Sequence, residues 1–321
     1  MKQKLFTTAA IAALVLTASC KQEPAFEQTE EVGPYTVSLI EKDVWHIEDC
    51  NSSNPAGISI QADGSVKQNN CSDMYIIRGK DKALLIDLSN KITWAEGAEE
   101  ALRSIFYARA GEREKLIAIT HSHGDHLGML PAFENEADVR FLLPENDFAQ
   151  DNKFPSGRKA LIADSELIDL GGMEVECVEV QGHTPGSMVF VLKGHNMIFS
   201  GDAIGSGSGV WIFSLDAFRQ YARGVAHLME YVQNPANGID SEKLIIYGGH
   251  SWQKAQTKLE KLDMQYLLDM SGLVDQIGRG TAAQEPYSTF MGMLDTNFKY
   301  GTAIVTWNKA QAAAYAEELG N

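Results

Sequence analysis

Within nine residues, Thr120-His121-Ser122-His123-Gly124-Asp125-His126-Leu127-Gly128, the chain places three of its 8 histidines and a carboxylate. No other stretch restricts the fold as tightly. The apolar run Leu116-Ile117-Ala118-Ile119 before it reads as a buried strand, and Leu127-Gly128-Met129-Leu130 after it can open a short helix reaching Phe133. The cluster therefore lies at the C-terminal mouth of a strand. On extended backbone His121 and His123 share a face, and His123 and His126, three apart, meet across one helical turn. Imidazole and carboxylate donors at this density suit a borderline cation such as zinc. A polar loop with coincidental histidines is the alternative.

The first residues stand apart from any fold argument. Lys2 and Lys4 precede an apolar run from Ala9 to Leu16, followed by Thr17-Ala18-Ser19-Cys20. This resembles a bacterial lipoprotein signal, although Thr17 stands where leucine is usual, and an ordinary secretory signal is the alternative. The apolar run falls short of the ~20 residues that span a bilayer. The expected organisation is a signal over 1–19, a flexible acidic tether over 20–33, a catalytic domain over 34–255 and a C-terminal helical extension over 256–321 packed on it. The expected location is the bacterial cell envelope, as a periplasmic or outer-membrane lipoprotein anchored through Cys20.

Loss of residues 1–19 removes two lysines and no acids, taking the formal charge from −16 to −18. Such a chain repels nucleic-acid phosphates and anionic membrane surfaces, so neither is an expected partner; membrane contact is expected only through a lipid on Cys20. A small molecule remains as the expected substrate. In an oxidising compartment Cys50 and Cys71 can pair across the polar stretch between them, leaving Cys177 buried in a strand. Spacing alone does not fix that bond.

Strands are expected at Tyr35–Ile40, Val44–Ile47, Met74–Ile77, Ala83–Asp87, Val139–Leu143, Leu167–Leu170, Met173–Val180, Ser187–Leu192, Met197–Ser200 and Lys243–Tyr247, with another at Gly301–Trp307. Helical spacing marks Ala95–Ala110, Leu215–Val232, a long segment from Gln253 to Ile277, and a closing helix. Residues 145–165 read as a polar excursion.

Three further points resemble the opening cluster in following an apolar strand beside glycine: Gly182-His183-Thr184-Pro185-Gly186-Ser187, Ser200-Gly201-Asp202 and Gly248-Gly249-His250. Glycine there allows close backbone approach. Each is weak alone. Together and in this order, with Asp87 ending its strand, they resemble the metallo-β-lactamase superfamily over about residues 35–255. The resemblance implies an α/β fold, a four-layer αβ/βα sandwich of two mixed β-sheets flanked by helices, with metals at one rim. It implies His121, His123 and His183 around a first metal and Asp125, His126 and His250 around a second. Asp202 would bridge them, and Asp87 would support the loop behind.

Departures narrow the branch. β-Lactamases of the family carry Cys or Ser where this chain has Asp202. Flavodiiron-type reductases replace His123 with Glu, and the family's nucleases add a large domain and a basic surface. The bridging Asp is most similar to the glyoxalase II and lactonase branches. The cofactor expected is two divalent metal ions, zinc first, with iron or manganese as alternatives. Metal-activated hydroxide would attack an ester, thioester or lactone carbonyl, with Asp125 orienting it and passing its proton on. Trp211 and the glycine-rich residues 203–213 can line the pocket or form a mobile surface loop with Trp211 packed in the core, and Tyr221 and Tyr247 can reach a carbonyl there, although for a tyrosine packing in the core is the plainer reading. The rivals are a mononuclear iron oxidoreductase resembling persulfide dioxygenases, a phosphodiesterase, and a non-catalytic surface binding protein.

Overall fold

Near-continuous apolar runs predict strands buried on both faces, and the folded chain uses both. The computed structural model describes residues 29–49, 71–288 and 292–320. In chain order the strands of the first half are β1 (Thr29–Val32), β2 (Tyr35–Glu41), β3 (Val44–Glu48), β4 (Asp73–Arg78), β5 (Lys82–Ile86), β6 (Glu114–Ala118), β7 (Val139–Pro144) and β8 (Lys159–Ile162). Those of the second half are β9 (Leu167–Asp169), β10 (Glu174–Glu179), β11 (Met188–Leu192), β12 (Met197–Gly201), β13 (Val210–Trp211), β14 (Ile245–Gly248), β15 (Ala283–Pro286), β16 (Thr296–Tyr300) and β17 (Ala303–Trp307). The helices are α1 (Ala98–Ala110), α2 (Glu145–Phe148), α3 (Leu215–Gln233), α4 (Gln253–Thr257), α5 (Met264–Gly278) and α6 (Lys309–Glu318).

Strands β1 to β8 form one sheet in sequence order, antiparallel up to β5 and parallel from there. A second sheet runs β14-β12-β11-β10-β9, with only the β12–β14 pair parallel. Side-chain alternation divides the interior into three layers. Leu84 and Ile86 of β5 and Phe190 and Leu192 of β11 fill the space between the two sheets. Ala83 and Leu85 face α1, meeting Leu102, Ile105 and Phe106. Val189 and Val191 face α3 and α5, meeting Phe218, Tyr221 and Leu273. Each fully buried Leu, Ile or Phe contributes roughly 1.5–3 kcal/mol. The result is the expected αβ/βα sandwich.

Four expectations change. Residues 29–32, expected in the tether, pair with β2 as an edge strand. The segment expected as one long helix from Gln253 breaks after Thr257, where Lys258 takes a left-handed φ of 59°. Leu262 then bridges to Ile246, and the Asp263 side chain caps α5 by accepting from Gln265 N–H. The C-terminal extension is not only helical: β15 to β17 form a third sheet in the order β13-β17-β16-β15, which takes in Val210 and Trp211. The helix expected after the histidine cluster is two 3₁₀ turns, at Gly124–His126 and Leu130–Ala132, the second opened by Pro131.

Cys71 is disulfide-bonded and Cys177 is a buried free thiol. The signal segment 1–19, Cys20, Cys50 and the polar stretch 51–70 lie outside the described residues. Among the described residues no helix is long and apolar enough to cross a membrane.

Candidate metal centre

Parallel strands deliver their C-terminal ends to one rim, the usual place for ligands in open α/β sheets. Here β5 ends at Asp87, β6 leads into His121, β12 ends at Asp202 and β14 at His250, while His183 lies in the β10–β11 connection. All seven expected donors converge. Three groups each bring their ligand atoms within 4.8 Å: His121, His123 and His183; His121, His126 and Asp202; Asp125, His126 and His250. The middle group shares one histidine with each of the others. Asp202 sits between the sets, its carboxylate 3.6 Å from His183 Nε2, 3.3 Å from His250 Nε2 and 3.7 Å from His126 Nε2. Asp125 lies 3.5 Å from His250 Nε2.

The rear nitrogens of four imidazoles are fixed by acceptors. Asp87, itself in the left-handed region at φ 65°, accepts from Thr120 N–H at 2.7 Å, from the Thr120 hydroxyl at 2.8 Å and from His126 Nδ1–H at 2.7 Å. The Thr120 hydroxyl, its proton given to Asp87, accepts from His121 Nδ1–H at 3.0 Å. His183 Nδ1–H donates to the Trp211 carbonyl at 3.0 Å, and His250 Nδ1–H to the Cys71 carbonyl. Each ring is thereby held in the tautomer whose Nε2 lone pair points into the cluster. His121 Nε2, His126 Nε2 and Asp202 Oδ1 are buried without a hydrogen-bond partner. Buried polar atoms left in that state are rare, and a divalent cation would satisfy all three. The residues therefore fit the metals that the ligand pattern implies.

The charge states agree with this. Burial, reinforced by neighbouring imidazoles, pushes His121 well below its ordinary value, and burial with His183 alongside lowers His123 to about 4. Burial also opposes protonation of His250 and His126, but carboxylates outweigh it: Asp202 raises His250 to about 9, and Asp87 with Asp202 raises His126. Asp202 is buried too, yet His250 and His126 hold it well below the usual carboxylate range. Cation binding on this side of the cluster must release protons.

Two glycines are required by contact. A Cβ on Gly201 would lie 2.5 Å from Thr120 Oγ1, and one on Gly249 would lie 2.6 Å from Asp202 Oδ1 and 2.7 Å from His126 Cε1. They let the second sheet's loops close onto the first sheet's histidines.

Two positioning carboxylates carried no signal in the sequence. Asp147 of α2 accepts from Ser122 N–H at 2.8 Å, the Thr184 hydroxyl at 2.7 Å and Gly186 N–H at 2.7 Å, tying the His121–His123 segment to the His183 turn. Asp73 of β4 accepts from Ser251 N–H and its hydroxyl and from His46 Nε2, and its own N–H donates to the Gly249 carbonyl, bracketing His250. His46, partly buried, belongs to this bracket.

The donors open into a cavity of about 240 Å³ whose far wall includes Val210, Trp211, Phe213 and Gln253. Trp211 thus lines the cavity. Tyr247 is not in the cavity: its neighbour Ile246 faces the α3 side of the sheet, so Tyr247 points between the sheets, against Phe199 and Tyr75. Tyr221 likewise packs in the core. A larger groove of about 520 Å³ between α3, α5 and α6 holds no donor cluster among the described residues.

Residues 72–262 match the family model described as the Metallo-beta-lactamase superfamily, more than half of the chain. The chain is 29% identical over 136 residues to an atrochrysone carboxyl ACP thioesterase of Claviceps purpurea (strain 20.1), covering 41% of this chain and 40% of that protein. It is 33% identical over 101 residues to a hydroxyacylglutathione hydrolase of Prochlorococcus marinus (strain MIT 9301), covering 31% and 39%. The chain spans less than half the length of the curated relatives it matches. A solved metallo-beta-lactamase from Pontibacter korlensis superposes with a TM-score of 0.52 at 20% identity, over 75% of this chain and 99% of that one, a likeness of fold.

Proposed function

The chain belongs to the metallo-beta-lactamase superfamily, and from that membership and the site's geometry we propose that it is a binuclear metal-dependent hydrolase of a small ester, thioester or lactone. The observation that carries this is the chain of three donor groups joined through His121 and His126, with Asp202 lying between histidines of both outer groups. His121, His123 and His183 would hold one ion, Asp125, His126 and His250 the other, and Asp202 both. Zinc suits this nitrogen and oxygen set, with iron or manganese as alternatives. When bound, the ions supply a water-derived nucleophile at neutral pH and positive charge for the developing oxyanion.

The protein's own groups do the rest. Asp125, lining the cavity, holds the proton released by the attacking water and passes it to the leaving oxygen or sulfur. Asp87 and the Trp211 carbonyl keep His126 and His183 in one tautomer throughout. Trp211 and Phe213 exclude bulk water from the acyl side.

A mononuclear iron oxidoreductase would leave the Asp125, His126 and His250 group without an occupant. Metal analysis of the purified protein, paired with chelator-sensitive hydrolysis of phenyl acetate and a simple lactone, tests the proposal. About two ions per chain with hydrolysis supports it; one iron with oxygen uptake on a persulfide sinks it. We also propose export and anchoring through Cys20, on the strength of residues 1–20. Fatty-acid labelling that survives Cys20→Ala would refute the anchor.

A further inference from the structure

The cavity wall opposite the donors is uncharged. Gly205, Gly209, Val210, Trp211, Phe213 and Gln253 face the cluster, and among the described residues lining the cavity there is no lysine or arginine. An anionic substrate tail would find no cation on this wall, and the chain's net charge of −16 repels it during approach. A glutathione- or phosphate-bearing substrate is therefore poorly matched. The volume, about 240 Å³, lies below the ~300–1,000 Å³ of pockets for drug-sized ligands, which restricts the occupant to about one ring and a short chain.

The wall's geometry selects further. The Trp211 and Phe213 rings meet edge to face at 6.3 Å, and Phe213 stands edge to face against His123 at 6.3 Å, so one aromatic surface continues from the donor His123 through Phe213 to Trp211. Trp211 is held from behind, since β13 pairs with β17. The one polar side chain on this wall is Gln253. The Gln253 backbone N–H donates to the His250 carbonyl at 2.9 Å, and the side-chain Oε1 accepts from the Ser208 hydroxyl at 2.6 Å. The amide oxygen is thus committed, and no described residue accepts from the amide nitrogen. Gln253 offers the cavity a donor.

Building on the hydrolase reading, we propose that the substrate is a compact, uncharged ester or lactone with an aromatic acyl group, and that Gln253 Nε2–H donates to one of its neutral oxygens. Gln253 is then a specificity residue, set against the aromatic wall that receives the ring.

The test is calorimetric binding of phenylacetamide, which resists hydrolysis, and of its 4-carboxy derivative to the full, zinc-loaded chain, with turnover of methyl phenylacetate, the ester of the same aromatic acyl group, measured alongside. Phenylacetamide is expected to bind at least about ten-fold more tightly than the 4-carboxy compound. Gln253→Glu, which keeps the shape and replaces the donor by an acceptor, should weaken phenylacetamide about ten-fold at unchanged zinc content, and Gln253→Ala should do the same if the glutamate disturbs folding. Equal or tighter binding of the carboxylate, no saturable binding of phenylacetamide, or indifference to both Gln253 variants overturns the inference. Discrimination without turnover refutes the hydrolase and leaves the pocket assignment standing; turnover without discrimination does the reverse.

Discussion

The two halves of the candidate metal centre are built by opposite means. His121, His123, Asp125 and His126 come from one continuous segment, so covalent geometry does most of the ordering and one carboxylate, Asp87, locks it from behind. His183, Asp202 and His250 come from three separate connections of the second sheet, and each needs its own fixture: the Trp211 carbonyl, the Gly201 contact with Thr120, and the Cys71 carbonyl with Asp73. A contiguous half is specified locally and is readable as a motif. A dispersed half is specified by packing, and its sensitivity to mutation is spread through the molecule.

The comparison is broken most directly at Asp202, where the halves meet. Asp202→Ala is expected to lower kcat/KM by about 10³-fold or more, equivalent to ~4 kcal/mol, and to reduce metal content with the far-ultraviolet dichroism retained. Unchanged turnover would remove it from the shared position. Next comes the lock of the contiguous half: Asp87→Ala leaves the Thr120 N–H and His126 Nδ1–H without an acceptor. Metal affinity should fall about 10–100-fold, and denaturant unfolding should show a loss of roughly 2–4 kcal/mol.

Asp147 spans both halves from outside, through Ser122 on one side and Thr184 and Gly186 on the other. For Asp147→Ala a smaller loss, about ten-fold in kcat/KM, is expected, together with about 2 kcal/mol of stability. If kcat/KM is unaffected while stability falls, Asp147 staples the fold without tuning the site.

The smallest effect concerns the bracket of the dispersed half. Glu48, whose carboxylate accepts from the Ser251 hydroxyl, is raised to about 7 by burial and by the Asp73 charge. The unfolded chain releases this proton near 4.5, whereas the folded chain keeps it until about 7, so stability falls as pH rises between those values and levels above them. Glu48→Gln should flatten that slope, on the order of 1–2 kcal/mol, in melting temperatures recorded from pH 4.5 to 8. A slope that persists in the variant assigns it to another group.

Much of the framework was legible because its signals are local. Apolar runs ending in His or Asp beside glycine located the strand ends, and the layered fold follows from strands buried on both faces. Asp147 escaped notice because a carboxylate in a polar stretch carries no mark of the two loops it joins. The facing of Tyr247 is not legible because Leu244-Ile245-Ile246-Tyr247 is apolar throughout, so its sequence cannot say which residues face which layer. The break at Lys258 was hidden because the helical spacing continues across it, and only the Leu262 bridge and the Asp263 cap reveal the stop.

The pairing of β13 with β17 sets an order of assembly. Trp211 presents the carbonyl that orients His183, yet the strand it rests on is made some ninety residues later in the chain, at Ala303–Trp307. During synthesis the histidine cluster, Asp202 and even His250 all leave the ribosome before that support exists. The strand that backs the Trp211 carbonyl is therefore complete only once the C-terminal hairpin docks, so the closing of the aromatic wall follows the synthesis of Ala303–Trp307.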